Sequence, residues 1–317
     1  MLPVIAETIR SGFVEGHHHG SVVALDASGR VAYAAGEVES PILPRSCSKP
    51  LQAVAMVRSG LGLDGDLLAL ASASHSGEPF HVEGVRRILT GAGEDEGALR
   101  NPVGWPLIDL VKEDLLRSGG EASVLTMNCS GKHAAMLATC IVNGWPTQTY
   151  LDSRHPLQRA IAETIADLAR EQVAHTAVDG CGAPLLAISL TGLARAFSTL
   201  ATTDAPAEAK VAAAMRAHPA FVSGTTRDEL VLMNAVPGAI AKAGAEGCYV
   251  VALPDGRAFA VKIDDGGIRP RPVVMAALLA RFGVDTEDGV DTDAVRRTGV
   301  AELLGGAAVV GELRAVL

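Results

Sequence analysis

The segment Val22-Val-Ala-Leu-Asp-Ala-Ser-Gly-Arg-Val-Ala-Tyr-Ala34 decides the fold, because it joins two short apolar runs through a turn sequence. Apolar runs on both sides of Asp26-Ala-Ser-Gly29 are typical of a β-hairpin. A second hairpin is predicted late in the chain, where Pro254-Asp-Gly256 separates the apolar runs 248–253 and 257–263. The sequence therefore predicts paired strands near both ends.

Between these hairpins the pattern is mainly helical. Several apolar segments begin at a proline or stop at a glycine, as helices do. Helices are predicted over 50–58, 79–89, 131–142, 156–173, 193–200, 206–217 and 227–235, with another over 273–282 after the second hairpin. The acidic stretch 285–293 predicts a solvated loop, and no motif assigns a role to the residues that follow.

Strands at both ends with helices between them predict an α+β fold. We expect one antiparallel sheet, built from the two termini and flanked by helices, with a mainly helical region inserted between them. The predicted arrangement is a single catalytic unit over 1–317. Its sheet would come from about 1–45 and 240–317, and its helical part from about 46–239.

Composition excludes several classes of protein. With 48% hydrophobic and 20% charged residues, the chain has ample material for a packed core. A net charge of −9 and the absence of any Lys/Arg-rich run argue against nucleic-acid binding and favour a small ligand. The N-terminal sequence has no signal-peptide pattern, and no apolar run approaches the roughly 20 residues of a membrane span. A cytoplasmic location, without disulfides between the five cysteines, is predicted.

The segment Arg45-Ser46-Cys47-Ser48-Lys49-Pro50 contains the first candidate for chemistry, a Ser-x-x-Lys pattern at the start of a predicted helix. On a helix, residues three apart lie on the same face, so the Lys49 amine can reach the Ser46 hydroxyl. A neutral amine can remove the proton of a serine and make it a nucleophile. The alternative is an N-cap serine beside a surface lysine, and the pattern alone does not exclude it.

Four further segments place reactive side chains at predicted element boundaries. Each also has a purely structural interpretation, as a turn, a buried small residue or an edge-strand lysine. They are Ala73–Glu78 with Ser74 and His75, Asn128–His133 with Cys129 and Lys132, Asp179–Pro184 with Cys181, and Val261–Gly266 with Lys262.

Together these segments resemble the Rhizobium etli-type L-asparaginases. The resemblance spans roughly 14–282 as five blocks in order. The blocks are Arg-Ser-x-x-Lys-Pro-x-Gln-Ala at 45–53, Ala-Ser-His-Ser-x-Glu at 73–78, Asn-Cys-Ser-Gly-Lys-His at 128–133, Asp-Gly-Cys at 179–181 and Val-Lys-Ile-x-Asp-Gly at 261–266. It implies a fold similar to serine β-lactamases and serine-dependent glutaminases.

The resemblance also implies roles for individual residues in the hydrolysis of L-asparagine to L-aspartate and ammonia. Ser46 matches the nucleophile and Lys49 its base, while Ser74 and Lys262 match a second Ser/Lys pair. A zinc ion is implied as cofactor. The matching ligands are Cys129, Lys132 and Cys181, and the residues predicted to bind substrate are Arg45, His75, Asp179 and His133.

Three other functions stay open at this point. A glutaminase or a β-lactamase-like enzyme would use the same Ser/Lys chemistry, and a pocket that differs by one methylene discriminates by only about 1–3 kcal/mol. A zinc- or ligand-binding relative without catalysis would keep the fold. A homodimer is expected as the commonest state of soluble oligomers.

Overall fold

The computed structural model describes residues 1–317 and contains eleven strands and twelve α-helices. The strands are β1 Val4–Arg10, β2 Phe13–Leu25, β3 Val31–Ala35, β4 Pro41–Ile42, β5 His175–Val178, β6 Pro184–Ser189, β7 Ile240–Ala243, β8 Cys248–Ala252, β9 Ala258–Ile263, β10 Glu302–Gly305 and β11 Ala308–Ala315. The helices are α1 Lys49–Arg58, α2 Gly65–Ala71, α3 Pro79–Gly91, α4 Asp109–Arg117, α5 Ser130–Asn143, α6 Pro156–Ala169, α7 Leu190–Thr202, α8 Pro206–Ala217, α9 Pro219–Val222, α10 Asp228–Ala235, α11 Pro270–Arg281 and α12 Thr292–Thr298. Short 3-10 helices cover Arg45–Ser48, Glu96–Ala98, Thr147–Thr149 and Val284–Thr286.

The main sheet is antiparallel and is built from strands at both ends of the chain. Its order is β10-β11-β1-β2-β9-β8-β7, with β3 also paired to β2. In this register Lys262 of β9 lies opposite Ser21 of β2 and Cys248 of β8. The predicted α+β class, with a terminal sheet and an inserted helical region, is confirmed.

Both predicted hairpins are confirmed, and the first shows why its turn sequence mattered. Leu25 pairs with Val31 across the turn between β2 and β3. The Asp26 carboxylate accepts hydrogen bonds from the backbone N–H groups of Ser28 and Arg30, and Gly29 has a φ of 77°. An aspartate that bonds its own backbone and a glycine with positive φ are typical of tight turns.

The chain divides into two compact units. Unit 1 comprises 1–47, 188–202 and 231–317, and unit 2 comprises 48–187 and 203–230. Unit 1 contains the main sheet, with α7 and α11 both packed against β9. Apolar residues of its strands β8 and β9, such as Val250 and Phe259, are fully buried.

Unit 2 is mainly helical, and α5 lies in its interior. Eleven residues of α5, from Ser130 to Cys140, are buried. The helix approaches its neighbours closely because its first turn contains Gly131. A Cβ atom at Gly131 would lie 2.7 Å from the carbonyl oxygen of Leu70. Helix α1 packs against α6, α8 and α5 in the same unit.

Several predicted helix boundaries differ from the structure by one to four residues. Helix α6 ends at Ala169 rather than near 173, because Arg170 takes a left-handed conformation with φ 57°. The stretch 285–293, predicted as a loop, overlaps a 3-10 helix and the start of α12. Beyond it, β10 and β11 extend the main sheet through pairing of β11 with β1. None of the helices is both long and apolar enough to cross a membrane.

Candidate active site

Ser46 lies on the 3-10 helix Arg45–Ser48, and the first stretch of unit 1 ends within this helix, at Cys47. Arg45 takes a left-handed φ of 51°, and its Nη1 lies 3.5 Å from Oε1 of Glu246. The Cys47 N–H donates to the carbonyl oxygen of Pro44 at 3.1 Å. Ser46 is 8% exposed, so only a small part of this residue contacts solvent.

The same segment packs against the end of strand β7 within unit 1. The Cys47 thiol donates to the carbonyl oxygen of Lys242 at 3.1 Å. A Cβ atom at Gly244 would lie 2.7 Å from the Pro44 oxygen and 3.2 Å from the Cys47 sulfur. Burial, with the Cys248 thiol close by, raises the pKa of Cys47 well above its usual value. Cys47 therefore fills space as a thiol, and Gly244 permits the close approach of β7.

Lys49 begins α1 in unit 2 and is not a surface lysine. It is 1% exposed, and its Nζ donates to Cys129 Sγ at 3.1 Å. The N-cap of α1 is Ser48 rather than Ser46, and no side chain caps this helix. The alternative of an N-cap serine beside a surface lysine is therefore wrong for Ser46 and Lys49.

Cys129 and Cys181 meet in one buried cluster of unit 2 together with Ala183. Cys129 is the N-cap residue of α5, and Cys181 lies in the turn between β5 and β6. Lys132, in the first turn of α5, is 1% exposed and donates from Nζ to Cys181 Sγ at 3.1 Å. The cluster thus combines two sulfurs with two buried amines, those of Lys49 and Lys132.

The pKa values of the two sulfurs and of Lys132 in this cluster depend on one another. The neighbouring Cys181 thiol lowers the pKa of Cys129 well below its usual value, and Lys49 and Lys132 add to that effect against the opposing effect of burial. The Cys129 sulfur and burial raise the pKa of Cys181. Burial opposes the charge of Lys132, but the two sulfurs outweigh it and raise its pKa. The two amines therefore favour a thiolate in the sulfur pair, and Cys129 is the member whose pKa is lowered.

Ser74 lies in the loop between α2 and α3 and is connected to this cluster through Asn128. Asn128 Nδ2 donates to Ser74 Oγ at 2.7 Å, and Oδ1 of Asn128 lies 3.8 Å from Cys129 Sγ. The Arg227 guanidinium donates to the Ser74 carbonyl oxygen and pairs with Glu229. Because Asn128 donates to its oxygen, the Ser74 hydroxyl hydrogen remains available to another acceptor.

Asn128 and Arg227 were not among the predicted site residues. Asn128 stood inside the block 128–133, and the signal available was its position directly before Cys129. Arg227 had no motif to mark it. Its role is found only from the fold, because Arg227 and Ser74 are far apart in sequence.

Of the predicted substrate-binding residues of unit 2, His75 and His133 are buried and Asp179 is half-buried, and all three have hydrogen-bond partners in that unit. His75 Nε2 lies 2.8 Å from Ser130 Oγ, and its Nδ1 accepts from the Gly77 N–H at 3.1 Å. Burial lowers the pKa of His75 well below its usual value, so the ring is neutral. His133 lies on α5, 2.8 Å from the Tyr150 hydroxyl oxygen, and burial lowers its pKa to about 4. Asp179 Oδ2 lies 3.6 Å from Cys181 Sγ.

Lys262 lies in unit 1, where backbone oxygens hold its ammonium. Its Nζ donates to the carbonyl oxygen of Glu246 at 2.7 Å and to that of Ile263. The structure thus places Arg45, Ser46 and Lys262 in unit 1. It brings together eight predicted residues in unit 2, which are Lys49, Ser74, His75, Cys129, Lys132, His133, Asp179 and Cys181.

The donor set suits a soft divalent metal by type. Thiolate sulfur binds zinc well, and Cys129 and Cys181 provide two such sulfurs in one cluster. An amine can be a third ligand only after it has lost its proton, so binding at Lys132 would release protons. No group of three or more His, Cys, Asp and Glu side chains is arranged to hold a metal ion. A zinc site here therefore depends on the lysine.

A cavity of about 680 Å³ lies elsewhere in unit 2. None of the eleven predicted site residues lines it, although it begins at Gly77, directly after the block that contains Ser74. Its wall mixes apolar side chains of α4 with the carboxylates of Glu78, Asp114 and Glu121. Within this wall the Thr225 hydroxyl donates to Glu78 Oε2 at 2.8 Å.

The sequence matches the model of one protein family, described as L-asparaginase II, over residues 6–315. No curated protein matches it. Among solved structures it is similar to a β-lactamase from Mycobacterium bovis, with 14% identity, a TM-score of 0.48 and coverage of 89% of this chain and 96% of that one.

Two other solved structures are similar at the same level. Mglu in its native form shares 16% identity at a TM-score of 0.46, over 85% of this chain and 65% of Mglu. EstCE1, a hydrolase with promiscuous acyltransferase activity, shares 14% identity at a TM-score of 0.42, over 88% of this chain and 93% of that one. All three likenesses concern the fold and not the activity.

Proposed function

We propose that this chain, which belongs to the L-asparaginase II family, hydrolyses L-asparagine to L-aspartate and ammonia by way of a serine nucleophile. The family establishes a hydrolase acting on a small molecule. The five sequence blocks at 45–266 support the narrower assignment to the Rhizobium etli type. A cytoplasmic homodimer remains part of the proposal.

The observation that carries this proposal is the burial of Lys49, whose amine is enclosed at 1% exposure two residues beyond Cys47 on a helical segment. A buried amine is costly unless it is paired, and Lys49 is paired with a sulfur that can itself gain or lose a proton. The ammonium that pairs with a Cys129 thiolate cannot act as a base, so the base is the neutral amine that forms when Lys49 passes a proton to Cys129, and that amine has two N–H donors and a lone pair. It can therefore donate to the Cys129 sulfur and still accept a proton.

The proposed reaction is acyl transfer in two steps. Lys49 accepts the Ser46 proton while Ser46 Oγ attacks the side-chain amide carbon of the substrate. The C–N bond breaks, and the leaving nitrogen takes a proton through the Ser74 hydroxyl, which Asn128 leaves free to donate. Water then attacks the aspartyl ester and returns the proton to Ser46. Lys262 contributes positive charge rather than acting as a base, because carbonyl oxygens hold its ammonium.

We further propose that Cys129, Lys132 and Cys181 hold a zinc ion. When bound, zinc would supply a fixed positive charge that orients the substrate or stabilises the cluster. Attack by water bound to the metal is not required, because Ser46 and Lys49 provide a nucleophile and a base. We also propose that four residues take part in substrate binding: Arg45, His75, Asp179 and His133. Because His75 and His133 are fully buried, they would contribute by holding neighbouring residues in place.

The test is ammonia release from L-asparagine and L-glutamine, measured side by side for the wild type, Ser46→Ala and Ser48→Ala. Ser48 is the matched control, since it is a buried serine on the same 3-10 helix. We expect release from asparagine that Ser46→Ala lowers by roughly 10⁴-fold or more, as loss of a catalytic serine does, and that Ser48→Ala largely retains.

Faster ammonia release from L-glutamine than from L-asparagine would identify glutamine as the preferred substrate. Release from neither amide would overturn the asparaginase proposal and direct the assay to β-lactams. Equal release by Ser46→Ala and the wild type would exclude Ser46 as the nucleophile.

A further inference from the structure

Ser74 is held through both of its backbone groups by residues 222–227, a connecting segment that runs from the end of α9 to the start of α10. The Ser74 N–H donates to the Val222 carbonyl oxygen at 3.2 Å, and the Ser74 carbonyl oxygen accepts from Nη1 of Arg227. The Ser74 hydroxyl oxygen accepts from Asn128 at 2.7 Å. Because Ser74 is only 4% exposed, its backbone and its oxygen are fixed and its hydroxyl hydrogen is left to act.

The connecting segment also holds the loop that follows Ser74. Ser76 Oγ donates to the Ser223 carbonyl oxygen at 2.9 Å. The Glu78 carboxylate accepts from the Thr225 N–H at 2.9 Å and from the Thr225 hydroxyl at 2.8 Å. Every second residue of the loop, from Ser74 to Glu78, therefore makes a hydrogen bond to the connecting segment. The position of Ser74 depends on that segment more than on its own neighbours in sequence.

Arg227 is itself held by a buried carboxylate. Its Nη2 lies 2.7 Å from Oε1 of Glu229, and the two side chains are 10% and 0% exposed. A buried ion pair adds little stability compared with apolar side chains of similar volume, because both charges lose their hydration. The planar guanidinium does, however, direct its N–H donors at fixed angles. Glu229 thus orients Arg227, and Arg227 places the Ser74 carbonyl oxygen.

We infer that Arg227 is a positioning residue for Ser74: with Glu229 behind it, its guanidinium fixes the Ser74 peptide so that the hydroxyl hydrogen points to the leaving nitrogen of the substrate. The inference rests on the proposed function, in which a proton reaches that nitrogen through Ser74, and it adds no step to the reaction. Arg227 acts through Ser74 and does not contact the substrate. All the residues involved lie in unit 2.

The decisive variant combines Arg227→Met with Glu229→Met, which replaces the ion pair by two apolar side chains and leaves neither charge buried alone. We expect kcat for L-asparagine to fall about 100-fold, the effect of displacing a reacting group by about 1 Å. KM should stay the same, because Ser74 acts only while the C–N bond breaks. The matched control combines Arg58→Met with Glu208→Met, another arginine–carboxylate pair of unit 2, and should keep the wild-type kcat.

A second substrate separates the positioning of Ser74 from a general disturbance of the site. The β-(4-nitrophenyl) ester of L-aspartate releases 4-nitrophenolate, which leaves without taking a proton. The double variant at Arg227 and Glu229 should therefore hydrolyse this ester at nearly the wild-type rate while it loses amide hydrolysis. Equal losses for the ester and the amide, or an unchanged kcat for the amide, would overturn the inference.

Hydrogen exchange of the backbone gives a readout without any substrate. In the double variant at Arg227 and Glu229 we expect faster exchange at the Ser74 N–H, because the Ser74 peptide has lost one of its two contacts with the connecting segment, and unchanged exchange along α5. Unchanged exchange at Ser74 would overturn the inference whether or not the wild type releases ammonia. Faster exchange in a protein whose wild type hydrolyses neither amide would support the placement of Ser74 by Arg227 and reject the asparaginase proposal alone.

Discussion

In unit 2 the amines of Lys49 and Lys132 each donate to a cysteine sulfur, whereas in unit 1 those of Lys242 and Lys262 donate to backbone carbonyl oxygens. Lys242 is as fully buried as Lys49. Its Nζ donates to the Ala243 carbonyl oxygen at 2.8 Å. Both units thus enclose positive charge, but with acceptors of different chemistry.

The difference matters because a carbonyl oxygen cannot gain or lose charge near neutral pH, whereas a sulfur can lose a proton or bind a metal. The acceptors of Lys242 and Lys262 in unit 1 therefore keep the same charge near neutral pH. Those of unit 2 share a hydrogen-bonded network whose protons can move, as a general base requires. Acid and base steps are accordingly expected in unit 2, and fixed charge and shape in unit 1.

The comparison predicts its largest effect for substitution of the two lysines assigned to catalysis. Lys49→Met should lower kcat for L-asparagine by roughly 10²–10⁴-fold, the usual contribution of a general base. Lys262→Met should lower it about tenfold, equivalent to about 1.4 kcal/mol, because only a charge is lost. Steady-state ammonia release measures both, with circular dichroism to show that each variant folds.

Methionine is the matched replacement in both cases, since it keeps most of the lysine stem without the amine. Equal losses of kcat in Lys49→Met and Lys262→Met would contradict the assignment of the base to unit 2 and of a fixed charge to unit 1. A larger loss in Lys262→Met would transfer the role of base to unit 1.

A smaller effect is predicted for acid, which should destabilise unit 2 through its buried histidines. Burial lowers the pKa of His81 from 6.5 to about 4, although Glu78 opposes the shift, and His81 Nε2 donates to the Ala220 carbonyl oxygen. Between about pH 6.5 and pH 4 the unfolded chain therefore binds a proton at His81 that the folded chain does not bind. Stability is therefore complete above about pH 6.5 and falls toward pH 4 by about 3 kcal/mol from this group.

The test is denaturant unfolding of the wild type and His81→Gln between pH 7 and pH 4.5. Glutamine can still donate to the Ala220 oxygen but does not titrate, so the variant should lose less stability on acidification. A residual slope is expected from His75, whose pKa burial also lowers. Parallel curves for the two proteins would show that His81 does not carry the effect.

How far the sequence predicted the fold depended on how local each signal was. The hairpin around Gly29 was predicted because its turn residues hydrogen-bond within five positions. Strand β11 was not predicted, because its partner β1 lies at the opposite end of the chain and its own apolar alternation is short. Pairing between strands so far apart in the sequence cannot be predicted from a local sequence pattern.

The same limit applies to the site. The Ser-x-x-Lys spacing predicted that Ser46 and Lys49 are related, but the enclosure of Lys49 depends on Cys129, which lies 80 positions further on. The resemblance supplied the order of the blocks and therefore most of the unit 2 cluster. It did not supply Asn128 as the partner of Ser74, because a hydrogen bond between two loops follows only from the packing of α5 against α3.

The smallest effect is predicted for Gly244→Ala, which tests whether backbone packing in unit 1 holds the Ser46 segment. A Cβ atom there would meet the Pro44 oxygen at 2.7 Å, so the chain must shift, at a cost of about 1–3 kcal/mol. The control Gly62→Ala meets nothing within 4 Å and should change stability by less than about 1 kcal/mol. Denaturant unfolding should show the same loss for Gly244→Ala at pH 7 and pH 5, because a steric contact between backbone atoms does not titrate. A loss that vanished at pH 5 would mean that charge also governs unit 1, and the contrast with unit 2 would fail.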